Sequence, residues 1–206
     1  MAIDRFSTHT IRGHVIAKWV GNSELPAYDT HNTLSYSAAD ALAAAYGGDS
    51  SYIPKYIGFI YSDNQDAVLP PISRDMGISS VKEEVESIRG NMLVVRFSRK
   101  PTISNDSADG SNDSPYVGNT VTFHAVTRSG VDGIYFDDTT GDSQYAGQLT
   151  AGKTLHRAVL LGDGSNLCDA NDRYTVLAMV DLKKNGKYRQ KPADYELALD
   201  WRVTFE

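Results

Sequence analysis

The twelve residues from Tyr195 to Glu206 alternate without a break. Tyr195, Leu197, Leu199, Trp201, Val203 and Phe205 share one parity, and Glu196, Ala198, Asp200, Arg202, Thr204 and Glu206 share the other. Successive strand side chains point to opposite faces, so a chain carrying this run must build a sheet with one buried face. At about 3.3 Å per residue such a strand would run for roughly 40 Å, long for a globular protein. The run ends one residue after its last apolar position, which reads as a finished building block with no tail for tethering or targeting.

Similar signals recur upstream. Thr10–Val20 is rich in β-branched and aromatic residues and closes at Gly21-Asn22, a strand followed by a turn. Further strands are expected at Tyr56–Tyr61, Met92–Phe97, Tyr116–Thr127, Ile134–Phe136, Leu155–Leu161 and Tyr174–Leu182. One short helix is expected over residues 37–46. Ser37 and Asp40 fit a capping box, Ala38–Tyr46 is mostly alanine, and Gly47-Gly48 supplies a left-handed cap. Ser80–Ile88 is open between a short helix and a strand: Val81, Val85 and Ile88 fit helical spacing, and Val81, Glu83 and Val85 break strict alternation. Residues around Pro26–Thr30 read as loop, and longer polar excursions are expected at 62–80, 104–114 and 128–153. About eight strands joined by Gly- and Asp-rich turns point to a mainly β chain, an antiparallel β-sandwich or jelly roll forming a single domain over residues 1–206.

Composition narrows the function classes. Twenty basic against 26 acidic residues give a net charge of −6, unlike the basic surface that DNA or RNA requires. The single cysteine, Cys168, cannot form an intrachain disulfide, so packing must hold the fold. The opening Met1–Phe6 has no apolar stretch behind its charges, and no apolar run reaches the ~18 residues of a membrane span. A protein made and kept in a cytosol, or leaving it by a route other than secretion, is expected.

Residues 147–154, from Gly147 through Gly152, Lys153 and Thr154, match the phosphate-binding pattern G-x-x-x-x-G-K-[ST] at every fixed position. Tyr174–Asp181 resembles the apolar strand ending in a magnesium-binding aspartate. The chemistry needs a buried strand before the loop and a helix after it, so that backbone amides cradle phosphates while Lys153 and Thr154 reach oxygens and metal. Asp137–Gln144 is too polar for that strand, and Leu155–Leu161 is stopped by Gly162-Asp-Gly164. A loop running into a strand is the better reading.

Other candidates are weaker still. Asp106, Asp109 and Asp113, or Asp169 with Asp172, offer oxygen ligands for calcium but lack EF-hand spacing. Asp137, Asp138, Glu83, Glu84 and Glu86 are carboxylates without a glycosidase context. His9, His14, His31, His124 and His156 show no metal-binding spacing, and Cys168 has no signature of a catalytic thiol. No catalytic, cofactor-binding or metal residue is therefore assigned. Among twelve tyrosines, Tyr28, Tyr52, Tyr116, Tyr145 and Tyr188 lie near loops, where they would suit subunit contacts or a sugar-binding face.

His31-Asn-Thr-Leu34 leads into the alanine-rich helix, which ends in Gly47-Gly48-Asp49, and Tyr56-Ile-Gly-Phe-Ile60 closes the unit. Val121-Thr-Phe-His-Ala125 and Arg157-Ala-Val-Leu-Leu-Gly162 follow a long middle, and Lys191-Pro192 precedes the final Leu197–Phe205 strand. This order of elements resembles that of small virion structural proteins of tailed bacteriophages. The departure is at Phe59-Ile60-Tyr61, where a glycine-containing turn is common in such chains. The resemblance implies a non-enzymatic component of the tail, baseplate, neck or head surface, assembled in the bacterial cytoplasm. It would self-associate and dock on other phage proteins, with no cofactor, nucleic acid or membrane partner. A host-surface glycan-binding module of a fibre is the alternative, and a nucleotide-binding enzyme using residues 147–154 a further one.

Overall fold

A computed structural model of the chain describes residues 11–21, 28–48, 53–104, 120–127, 133–135, 151–163 and 174–205. In chain order its elements are β1 (Ile11–Trp19), β2 (Tyr28–His31), β3 (Thr33–Leu34), α1 (Tyr36–Tyr46), β4 (Pro54–Ser62), α2 (Ile78–Ser87) and β5 (Asn91–Arg96). These are followed by β6 (Thr102–Ser104), β7 (Thr120–Val126), β8 (Gly133–Tyr135), β9 (Thr154–Asp163) and β10 (Tyr174–Asp181). β11 (Lys183–Lys184), β12 (Lys187–Gln190) and β13 (Leu197–Phe205) complete the order.

The terminal strand sits at the centre of the first sheet, whose order is β2-β1-β13-β7-β6. β13 pairs antiparallel with β1 from Trp19↔Leu197 to Ile11↔Phe205, and with β7 on its other edge. Central placement explains its length and its alternation. The second sheet runs β12-β9-β4-β5-β8, with β11 folded back on β12. β10 shares the free edge of β9 with β12, and β3 adds to β10. The two sheets face each other as an antiparallel sandwich. Trp19, Leu197, Leu199 and Trp201 from one sheet meet Ile57, Phe59, Leu93 and Leu160 from the other. Each fully buried aliphatic side chain contributes about 1.5–3 kcal/mol.

The second sheet is buried on both faces. Its outer face carries Ile60, Met92, Val94, Val159 and Leu161, covered by Ile78, Val81, Val85 and Ile88. Ser80–Ile88, open between helix and strand in the sequence, is thus the helix α2, and its apolar stripe caps a second core. The 62–80 excursion leaves the sheet as expected, yet it also buries Ala67, Leu69 and Met76 in this layer. The stretch expected as loop near Pro26–Thr30 includes β2, an edge strand held by its register with β1.

Three register shifts interrupt the second sheet: one between Pro54 and Tyr56 at the start of β4, and two bulges further in. His156 is the extra residue of β9, since Ile60 pairs with Arg157 while Tyr61 pairs with Leu155. Leu177 is the extra residue of β10, between Val176↔Leu161 and Ala178↔Leu160. A bulge re-aims the chain that follows it. At the second bulge the Ser35 hydroxyl donates to the carbonyls of Val176 (2.6 Å) and Leu177 (3.0 Å), which ties the start of α1 to the sheet. α1 begins at Tyr36, one residue ahead of the cap expected at Ser37, and Gly48 (φ 88°) supplies the left-handed residue beyond its end.

Candidate functional site: an apolar cleft with a basic rim

Burial falls off along β13. Leu197 and Leu199 are fully buried, but Val203 and Phe205, at the far end of the same strand, are only half-buried. There the sheets part around a cleft of about 280 Å³, its floor made by Leu160, Leu177 and Phe123 and its walls by Ala38, Val121 and Phe205. Every lining side chain is apolar.

A wider cavity of about 770 Å³ adjoins the cleft and shares Ile11, Leu34 and Ala38 with it. Its polar lining comes from Arg12, His31, Asn32, Thr33, Ser35 and Arg74, with no carboxylate among them. The chain crosses here from β2 in one sheet to β3 in the other. Asn32 makes the crossing, its amide N–H donating to the Gly13 carbonyl at 3.2 Å. Its side chain lies directly on Gly13, where a Cβ would stand 1.6 Å from Asn32 Oδ1, so only glycine fits. The exposed Arg74 guanidinium stands 5.3 Å over the Tyr36 ring and has no carboxylate partner among the described residues. His31 lies 5.2 Å from the His14 ring, while His14 Nε2 meets Asp29 at 2.6 Å. That hydrogen bond, helped by the His14 charge, lowers the exposed Asp29 carboxyl below its ordinary range. The rim thus presents positive charge beside an apolar slot, in a chain whose net charge is −6.

A second polar cluster lies under α2. Arg157, only 2% exposed, donates from Nε to Asp181 at 2.8 Å and from its two terminal nitrogens to Glu84 and to the Pro70 carbonyl. Burial holds Glu84 above the ordinary carboxylate range even with Arg157 against it. Tyr188 donates to Asp181 at 3.3 Å, and burial raises its phenol further still. Next to it, His156 Nε2 meets Ser62 Oγ at 2.8 Å under the Tyr188 ring. A serine and histidine at this distance invite a nucleophile–base reading. Both are buried, at 3% and 0% exposure, and His156 Nδ1 has no hydrogen-bond partner among the described residues. Reaction at a serine needs access and an orienting acid on the imidazole, and neither is present here.

Of the residues singled out in the sequence, Asp106, Asp109, Asp113, Asp137, Asp138, Asp169, Asp172, His9, Cys168, Tyr52, Tyr116 and Tyr145 lie outside the described residues. So do most of the 104–114 and 128–153 excursions and the start of the 147–154 motif. Glu83 and Glu86 are exposed on α2, and Glu84 turns inward to Arg157. His124 pairs with Asp200 across β7 and β13. Tyr28 and Tyr188, expected at a contact or sugar-binding surface, are buried at 1% and 4% exposure. Burial raises the Tyr28 phenol to about 12. Among the described residues, no three His, Cys, Asp or Glu side chains gather as metal ligands. No helix of the described chain is long and apolar enough to cross a membrane.

The helix required after a phosphate-binding loop is absent, because Lys153 leads straight into β9. Lys153 instead bonds both oxygens of Asp63 at 2.7–2.8 Å, a surface pair with Asp63 81% exposed. Lys153→Ala should therefore change the unfolding free energy by less than about 1 kcal/mol. Magnesium-ATP should leave the melting temperature unchanged; a rise abolished by that substitution would restore the nucleotide reading.

The cleft was not foreseen in the sequence. Its lining comes from segments far apart in the chain, with Val203 and Phe205 of β13 facing Leu160 of β9 and Leu177 of β10. Neither a protein-family model nor a curated protein nor a solved structure matches the chain.

Proposed function

We propose that the chain is a non-enzymatic structural component of a bacteriophage virion, one that associates with copies of itself and with neighbouring tail, baseplate, neck or capsid proteins. The observation that carries this reading is the open end of the sandwich. An apolar slot lined by Leu34, Val121, Phe123 and Phe205 lies open beside a polar rim that includes Arg12, His31 and Arg74. Apolar surface left open in this way, with a polar border, is characteristic of a contact surface. The buried Ser62–His156 pair, closed to substrate, is the nearest approach to a catalytic arrangement among the described residues. The resemblance in element order to small phage virion proteins supports the same reading.

Immunogold electron microscopy of phage particles from the source strain tests it. Antibodies against this chain should place gold at one fixed position on head, neck or tail. Unlabelled particles, with the antigen left in the soluble lysate, would refute the virion reading.

A further inference from the structure

We propose that the cleft and the cavity beside it bind a single-chain fatty alcohol, with an alkyl chain of about ten carbons in the cleft and the hydroxyl on the Asn32 amide. This goes beyond the contact reading above and does not depend on it, since a chain seated inside the slot leaves the surrounding surface free for a neighbour.

The cleft selects a hydrocarbon because its lining offers almost no hydrogen bond. Its side chains are all apolar, and the backbone polar groups behind them are turned into the two sheets. A peptide threaded through it would carry N–H and C=O groups that find no partner, and a sugar ring would strand its hydroxyls in the same way. An alkyl chain loses nothing by entering. The volume points the same way: about 280 Å³ is nearly twice an apolar cavity of roughly 150 Å³ that takes up benzene. A single phenylalanine ring from another protein would leave about half the slot unfilled, and unfilled apolar space forfeits its contacts. By the same measure a chain of about ten carbons fills it.

Asn32 selects the head group. Both polar atoms of its side-chain amide are buried with no hydrogen-bond partner among the described residues. Its own N–H is tied to the Gly13 carbonyl, and the amide occupies the place where a Gly13 Cβ would stand. Gly13 pairs with Val203, which lines the cleft, while Gly13 and Asn32 both line the adjoining cavity. The unpaired amide therefore sits at the junction of the two spaces. A hydroxyl satisfies both of its atoms at once, donating to Oδ1 and accepting from Nδ2. Pairing a buried orphan gains more than an ordinary surface hydrogen bond, and it asks for no charge on the ligand.

The two halves of the site make separate demands. Each methylene that enters the cleft should tighten binding about fourfold until the slot is full. The head contributes a step of about tenfold, independent of chain length, that needs both a donor and an acceptor on the ligand.

Isothermal titration calorimetry on the full chain provides the test, with 1-hexanol, 1-octanol, 1-decanol and 1-dodecanol as probes. Affinity should climb about 15-fold for every two carbons up to decanol. From decanol to dodecanol it should gain less than about threefold, because the last carbons have no cleft left to enter. Decyl methyl ether, which accepts but cannot donate, should bind about tenfold more weakly than decanol, and Asn32→Ala should erase that difference. Ala38→Phe puts a ring into the space shared by cleft and cavity, and should weaken decanol binding at least about tenfold with circular dichroism unchanged. Should that variant fail to fold, the chain-length series on the wild type decides. No binding of decanol up to its solubility limit would overturn the proposal. So would an affinity that keeps climbing at the same rate through dodecanol, the mark of unspecific partition, or a folded Ala38→Phe that binds as the wild type does. Equal affinity for alcohol and ether would overturn the assignment of the head to Asn32.

Discussion

Arg157→Leu should lower the unfolding free energy by about 3–5 kcal/mol, measured by urea denaturation at neutral pH. The guanidinium satisfies three acceptors at once: Glu84, Asp181 and the Pro70 carbonyl. Leucine fills part of the space but leaves the Glu84 carboxylate, its side chain 5% exposed, with no counter-charge. An uncompensated buried charge is among the few mechanisms that produce losses of this size. The same substitution releases the tether between β9 and the 62–80 segment, so the outer core loosens where Ala67 and Leu69 pack. The double variant Arg157→Leu, Glu84→Leu should recover much of the loss, because replacing both charges with apolar groups removes the orphan. A single variant within about 1 kcal/mol of wild type would mean that water reaches Glu84 once the arginine is gone.

This cluster also marks how far the sequence could be read. Arg157 stands inside the apolar run Leu155–Leu161, and Glu84 stands between Val81 and Val85. A charge within a buried segment is a sign that it needs a partner, but nothing in spacing alone joins residue 84 to residue 157. The sheet-forming runs were legible because burial on one face enforces alternation, as in Leu197–Phe205 and Thr120–Val126. β2 and β12 were not, since four-residue strands take their conformation from the partner and carry little pattern of their own. α2 stayed ambiguous until its apolar stripe found the outer face of the second sheet. The bulges at His156 and Leu177 were invisible for a related reason: both sit in strands buried on two faces, where a slip of one residue leaves an apolar run looking the same. The cleft was hidden too, because its lining joins Ile11, Ala38, Val121, Leu160 and Phe205, which only the pairing of distant strands brings together.

Acid should destabilise the fold through His156. Burial, reinforced by the adjacent Arg157 charge, pushes the imidazole from its ordinary 6.5 down to about 4 in the folded chain. The groups facing it are Ser62 from β4, Tyr188 from β12, and Arg157, Asp181 and Lys183 by charge. Asp181 alone favours the charged ring, and it is already engaged by Arg157. Because the folded value lies below the unfolded one, the unfolded chain binds the proton first. The stability contributed by neutral His156 is intact above pH 6.5, falls as the pH drops from 6.5 towards 4, and levels off below that. The drop amounts to about 3 kcal/mol across that window. Glu84 has the opposite sign: its raised value costs stability as the pH climbs above the ordinary carboxylate range, so the raw profile mixes the two. Comparing wild type with His156→Gln separates them, since Glu84 is common to both. The variant should be less stable at neutral pH, having lost the imidazole contacts to Ser62 and Tyr188, yet its profile between pH 7 and 4 should be flatter by roughly 3 kcal/mol. Parallel profiles would place the acid sensitivity elsewhere. The acid penalty has a structural source: a protonated imidazole beside Arg157 puts two cations into one buried pocket.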